Sequence, residues 1–359
     1  MYLEYFGMQE HPFRLTPDSD FLFMSSAHTR AKTYMDYSVW NREGFVVITG
    51  EIGCGKTTLI QKLLSELNDE NILVAKIFQT QLDDVEFLQA VLVEFGLNPF
   101  NAKKVELMDM LNTFLIENFH KDRQAILIVD EAHNLTTKAL EEIRMLSGLE
   151  TNKQKILHVI LVGQPQLNEM LDAPEMEQLT QRVRLRFHLK PLSEADTAEY
   201  IVHRLRVAGL QRKDLFEVST TPMIYEYTGG VPRLINTLCD TALTCAYADN
   251  LQKVTKAVVG TAADELQWLP YAKRINAKRL KERMARAAKP GVLTAEQELK
   301  LANIDNRLNQ LDTLAPALGS ISLKIGSIEL LLKKILDALP GDERSLAAQK
   351  KSQQRRSPG

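Results

Sequence analysis

Three cysteines in 359 residues, Cys54, Cys239 and Cys245, are too few and too irregularly spaced for a disulfide framework or a thiolate metal site. A reducing compartment suits such a chain. The sequence also lacks any run of eighteen or more apolar residues, so no segment of it reads as a helix crossing a bilayer. Its first residues, Met1-Tyr2-Leu3-Glu4-Tyr5-Phe6-Gly7, have neither the basic start nor the apolar stretch of a secretory signal. The expected location is therefore cytoplasmic, with peripheral attachment at the inner membrane left open. Net charge is lacking too: 44 Lys and Arg stand against 46 Asp and Glu, giving −2. No global field draws the chain to nucleic acid or lipid, and any basic surface must be local.

What the sequence does have is enough apolar residue, 45%, to bury a core in each of two larger domains. Short β-branched runs recur: Phe45-Val46-Val47-Ile48-Thr49, Ile72-Leu73-Val74-Ala75-Lys76-Ile77, Ala125-Ile126-Leu127-Ile128-Val129 and Leu157-His158-Val159-Ile160-Leu161-Val162. Unbroken apolar runs of this length read as parallel strands buried on both faces. Segments with apolar residues at helical spacing lie between them, at 58–67, 85–95 and 139–146. Alternation of strand and helix predicts an α/β domain, a doubly wound parallel sheet, over residues 45–191.

Residues 1–44, where aromatics alternate with turn residues, are expected to pack beside that domain's ligand. After Pro191-Leu192 only helical patterns continue, predicting an all-helical domain over 192–268. The next stretch, 269–291, carries Lys273, Arg274, Lys278, Arg279, Lys281, Arg283, Arg286 and Lys289 and reads as a basic linker helix. Residues 292–340 place Leu301, Ile304, Leu308 and Leu311 at spacings of three and four, the seam of a coiled coil. Pro316 and Gly319 interrupt it, so two short helices packed together are the alternative. The polar, basic tail 341–359 has the composition of a disordered segment.

The chemistry centres on Gly50-Glu51-Ile52-Gly53-Cys54-Gly55-Lys56-Thr57, followed by Thr58. It fits G-x-x-x-x-G-K-[ST] between a predicted strand and a predicted helix, the context in which that pattern forms a phosphate cradle. Glycines let backbone N–H groups curl round phosphates, Lys56 neutralises their oxygens, and the Thr57 hydroxyl ligates magnesium. ATP and Mg2+ are the expected ligands. Cys54 fills a free position of the motif, and a redox role for it is the lesser reading.

The third predicted strand delivers Asp130-Glu131 to the carboxyl edge of the sheet, where open α/β folds bind ligands. There Asp130 can hold the magnesium water shell and Glu131 can polarise an attacking water. The string Asp130-Glu131-Ala132-His133 also occurs in helicases, but the residues after Pro191 are too few and too helical for a second motor domain. Gln164, in Gly163-Gln164-Pro165 after the fourth strand, can reach the terminal phosphate or the lytic water. Within Gln181-Arg182-Val183-Arg184-Leu185-Arg186, Arg182 is the first candidate, and Arg186 the second, for an arginine acting on a neighbouring subunit's nucleotide. Arg233, in the first turn of a helix opened by Pro232, sits at a positive helix end that calls for an anion.

Taken together these residues resemble the AAA+ ATPases of the general secretion pathway protein A (ExeA) type, closest to the branch associated with exosortase and exopolysaccharide systems, with the pilus protein MshM as a relative. The resemblance runs over about residues 1–265. It rests on Tyr5-Phe6-Gly7, Pro12-Phe13, Pro17-Asp18, residues 44–59, Thr80-Gln81-Leu82-Asp83, residues 129–134, Arg144-Met145-Leu146-Ser147, residues 161–165, Gln181-Arg182-Val183 and residues 229–240. It implies Lys56 and Thr57 as Walker A, Asp130 and Glu131 as Walker B, Gln164 as first sensor, Arg182 as finger and Arg233 as second sensor. It also implies a homo-oligomer, ring or filament, with envelope or polysaccharide-export machinery as partner. The longer secretion proteins of this type carry a transmembrane helix and a peptidoglycan-binding domain, whereas this chain continues into a basic linker and heptads, so direct wall binding is not expected. The less favoured alternatives are a DNA-binding regulator resembling the transposition ATPases TniB and TnsC, and a nucleotide-gated scaffold.

Overall fold

A computed structural model describes residues 2–41, 45–67, 70–78, 80–150, 154–212 and 214–287. Five strands, β1 (Phe45–Gly50), β2 (Ile72–Ile77), β3 (Gln124–Val129), β4 (Leu157–Gly163) and β5 (Leu185–Leu189), form one sheet in the order β2-β3-β4-β1-β5. Every pairing is parallel. β1 and β4 are buried along their whole length, which is why they read as unbroken apolar runs. At the edge, β5 alternates burial and exposure as Leu-Arg-Phe-His-Leu, the pattern of a strand with one wet face.

Alternate strand residues feed two cores. Val47, Leu127, Val129 and Leu161 pack with helices Asp84–Glu94, Lys104–His120 and Thr137–Leu146. Val46, Ile48, Ile128 and Val162 pack on the other face with helices Ser26–Trp40 and Lys56–Glu66. Because β4 lies between β3 and β1, the chain leaves adjacent strands toward opposite layers and opens a crevice at their carboxyl ends. The helix starts are sharply fixed. Asp83 accepts from the backbone of Val85 and Glu86, and Glu86 returns a bond to the Asp83 N–H; such a cap is worth about 1 kcal/mol.

Helices Glu194–Val207, Thr221–Thr228, Pro232–Ala248 and Lys256–Glu265 form the helical domain, whose core centres on Ile201, Ile224, Leu238 and Leu243. Small residues Ala242, Ala246, Ala262 and Ala263 belong to the same core. Phe6, Met8, Phe13 and Phe21 fill it. The segment before β1 divides: its first part completes the helical domain, Ala31, Met35 and Val39 dock on the sheet with Leu22 and Ala27 beside them, and Asp18, Phe21 and His28 line the cavity next to the loop after β1. Large aromatic side chains go where they can bury most area.

Residues 1–276 make one compact unit and 277–359 a second. Helix Tyr271–Ala287 carries the basic stretch as far as the described residues run, and within the first unit the Arg274 guanidinium lies 4.3 Å over the Trp268 ring. The heptad segment 292–340 and the tail 341–359 lie outside the described residues. Among the described residues no helix is long and apolar enough to cross a membrane.

Candidate nucleotide site

The loop after β1 must turn back on itself to present N–H groups, and two glycines allow it. Gly53 has φ +81° and Gly55 has φ +90°, a region L side chains rarely adopt. Gly53 is also pressed by the helical domain, since a Cβ there would lie 2.5 Å from Cβ of Arg233. Between them Cys54 is sealed from solvent, and burial pushes its thiol up to about 11. A thiol held protonated at neutral pH is a poor nucleophile, so the redox reading falls.

Helix Lys56–Glu66 starts at the loop, with Lys56 only 5% exposed. Its Nζ donates to the carbonyls of Gly50 at 2.9 Å and Glu51 at 3.0 Å. Burial lowers the ammonium pKa from its usual range, and Glu131 leads the charges that oppose this. The Thr57 hydroxyl donates to Asp130 Oδ2 at 2.8 Å. Asp130 is 2% exposed, and its Oδ1 accepts from the Glu131 N–H at 2.9 Å.

Glu131 occupies the left-handed region at φ +51°. For a non-glycine residue this costs on the order of 1 kcal/mol and is held only by surrounding structure. The holders are visible. Thr80 donates its hydroxyl to the Glu131 carbonyl at 3.0 Å, and Gln164 Nε2 donates to the Glu131 carboxylate at 3.4 Å. His133 Nε2 lies 3.5 Å from the same carboxylate oxygen, while its Nδ1 accepts from the Gln164 backbone N–H at 3.3 Å. That backbone bond requires a bare Nδ1, so the ring proton sits on Nε2 and faces Glu131. The Glu131 side chain remains 41% exposed, leaving it access to water.

A cavity of about 210 Å³, open to solvent, runs from Lys56, Thr57 and Glu131 to Phe21, Tyr200 and Arg233. Arg233 is exposed in it, has no ion pair among the described residues, and donates its backbone N–H to the Gly53 carbonyl at 3.2 Å. The cavity thus brings Lys56, Thr57, Glu131 and Arg233 together, with Asp130 and Gln164 one contact away. Arg182 and Arg186 stand apart: Arg182 donates to the Arg144 carbonyl and to Ser147 Oγ at 3.2 Å, and Arg186 pairs with Asp172 at 2.7 Å. Three contributors escaped sequence reasoning: Thr80, His133 as a partner of Glu131, and His28, whose ring meets the loop from below. Thr80 and His28 reach backbone carbonyls far along the chain and leave no local pattern to read, whereas His133 stands two residues after Glu131 in a string that was read only for its likeness to helicases.

Residues 40–171 match the AAA domain family model. This segment is an AAA domain. The chain is 38% identical to general secretion pathway protein A of Aeromonas hydrophila over 268 residues, covering 74% of this chain and 48% of that protein. It spans about half the length of that relative, and the resemblance read from the motifs holds over this stretch. Among solved structures, the ORC2 protein of Aeropyrum pernix in its ADPNP-ADP complexes superposes with a TM-score of 0.54 at 15% identity, covering 72% of this chain and 71% of that one. The Cdc6p protein of Pyrobaculum aerophilum gives 0.56 at 14% identity, over 71% and 70%. These two share the fold. The AAA domain here is of the nucleotide-binding ATPase type.

Proposed function

We propose that the chain binds ATP with magnesium and hydrolyses it, acting as an oligomer that drives or regulates assembly of a cell-envelope export system for exopolysaccharide, secretion or pilus. The observation that carries the nucleotide reading is the meeting of Lys56, Thr57 and Glu131 at one end of a single cavity, with Asp130 bonded to the Thr57 hydroxyl just behind them. In this reading the Lys56 ammonium leaves the carbonyls of Gly50 and Glu51 for the β and γ phosphate oxygens. It is partly desolvated there, so its charge acts strongly on a phosphate. The hard oxygen donors of Thr57 and Asp130 fit magnesium, which would spread the charge that builds on the transferring phosphoryl group. Glu131, held by Gln164 and His133 yet open to water, accepts a proton from the attacking water. Arg233, an exposed cation on the helical domain's side of the cavity with no ion pair among the described residues, reads the terminal phosphate.

Arg182 does not reach its own subunit's cavity, so its role is as a finger supplied to a neighbour, with Arg186 as the second candidate. Similarity to general secretion pathway protein A over about half of that protein's length supports the envelope role, and the same reading has the chain cytoplasmic, attached peripherally at the inner membrane. Purified protein should hydrolyse ATP in a magnesium-dependent way. Glu131→Gln should keep nucleotide binding and lose turnover by about 10²–10⁴-fold, and Lys56→Ala should lose binding. A Lys56→Ala protein that binds and splits ATP like the parent would overturn the reading.

A further inference from the structure

His28 is buried to 3% exposure in a segment far from the loop motif in sequence, yet it touches the centre of the phosphate cradle. Its Nε2 lies 2.9 Å from the carbonyl oxygen of Cys54, and its Nδ1 lies 2.8 Å from Ser25 Oγ. A carbonyl only accepts, so Nε2 carries the proton and Nδ1 accepts from the serine hydroxyl. Burial lowers the imidazole pKa below its usual value, which keeps the ring neutral with this one N–H. Ser25 is also the cap of helix Ser26–Trp40 and accepts from the His28 backbone N–H, so the ring is fixed at both ends.

The Cys54–Gly55 peptide is the one whose direction matters. In a planar trans peptide the C=O and the following N–H point opposite ways. A donor that holds the Cys54 carbonyl down against helix Ser26–Trp40 therefore aims the Gly55 N–H up into the cradle. Gly55 has φ +90° and no side chain to resist a flip, so its own residue cannot fix that direction. We propose that His28 is a positioning residue for phosphate binding, which locks the Cys54–Gly55 peptide so that the Gly55 N–H is pre-aimed at a nucleoside polyphosphate. The inference rests on the nucleotide reading above and adds a residue outside the Walker motifs to that same site. It also ties the segment that completes the helical domain to the loop that grips the phosphates.

Titration calorimetry with Mg-ADP on the full chain tests it, using His28→Ala, His28→Gln and His28→Asn. Glutamine carries an N–H as far along the side chain as imidazole Nε2, whereas asparagine reaches only as far as Nδ1. His28→Ala and His28→Asn should weaken ADP binding about tenfold, the effect of losing one orienting hydrogen bond, and His28→Gln should restore most of it. Thermal unfolding of the ligand-free variants runs alongside. A merely structural role would lower all three melting temperatures and give no rescue of affinity by glutamine. Parent-like ADP affinity in folded His28→Ala, or glutamine binding no better than asparagine, overturns the inference while leaving the nucleotide reading intact. A parent protein that binds no ADP removes both. If His28→Ala does not fold, the glutamine and asparagine pair still decides.

Discussion

Replacing Gly53 by alanine measures how closely the phosphate loop and the helical domain are keyed together. The first cost is conformational: at φ +81° a side chain is strained by about 1–2 kcal/mol. The second is steric, because the new Cβ would lie 2.5 Å from Arg233 Cβ and 3.4 Å from Val231 Cγ1. Carbon atoms in contact settle at about 3.5–4.0 Å, so about 1 Å of relief is needed. Neither Cβ can swing aside, being fixed to its backbone, and helix Pro232–Ala248 must move away from the loop. That movement also stretches the bond from the Arg233 N–H to the Gly53 carbonyl, now 3.2 Å. Overpacking of this kind costs about 1–3 kcal/mol. A combined loss near 3 kcal/mol lowers Tm by about 6–12 °C in a unit of this size. Turnover should fall further, since a side chain displaced by about 1 Å from a reacting centre can cost about 10²-fold. Scanning calorimetry and steady-state ATPase assays read both effects. A Gly53→Ala protein with the parent's Tm and kcat would refute the claim that this contact joins the two domains.

The remaining expectations are independent of that contact. Subunits carrying Arg182→Ala, mixed with subunits carrying Lys56→Ala, should regain ATPase activity if the arginine serves its neighbour; mixtures as inactive as either parent stock would refute the assignment. His133→Ala should lower kcat by about tenfold with nucleotide affinity unchanged, because it frees the Glu131 carboxylate and leaves the loop alone; an unaltered kcat would show that Gln164 suffices. His28, His133 and His203 all have pKa values lowered by burial. Their unfolded value is about 6.5, so below that pH the unfolded chain binds more protons and stability is lost as pH falls toward the folded values. Tm should hold steady above about pH 6.5 and drop below it, and a Tm that rises on acidification would contradict the burial of these rings.

The sheet was legible because burial on both faces leaves a strand no freedom but to be apolar throughout, as in β1 and β4. Helix Pro232–Ala248 showed its start through Pro232, a residue whose preference for the first helical position is local. Helix Lys104–His120 did not stand out. Val105, Leu107, Met108, Met110, Leu111, Phe114, Leu115 and Ile116 spread apolar residues round most of its surface and blur the helical period, although only Leu107, Leu111 and Leu115 among them are fully buried. The Walker residues were readable since their spacing is set by the loop itself. His28 was not, because its partner is a backbone carbonyl 26 residues away, and a main-chain atom has no sequence identity.

The N-terminal segment supplies a second connection between the helical domain and the loop after β1. Its residues 12–23 are bound to that domain through main-chain carbonyls: Arg204 Nη2 donates to the Arg14 carbonyl at 3.2 Å and Asn236 Nδ2 to the same oxygen at 3.4 Å. Two residues past Phe23 the chain caps helix Ser26–Trp40, which is packed on the sheet and holds the loop through His28. The helical domain is therefore joined to the phosphate loop along two routes, directly at Gly53 and Arg233 and indirectly through residues 12–28. A single contact would let the domains pivot about a point. Two contacts on different sides of one cavity oppose that pivoting, and in the proposed reading a polyphosphate that draws Arg233 inward pulls on both.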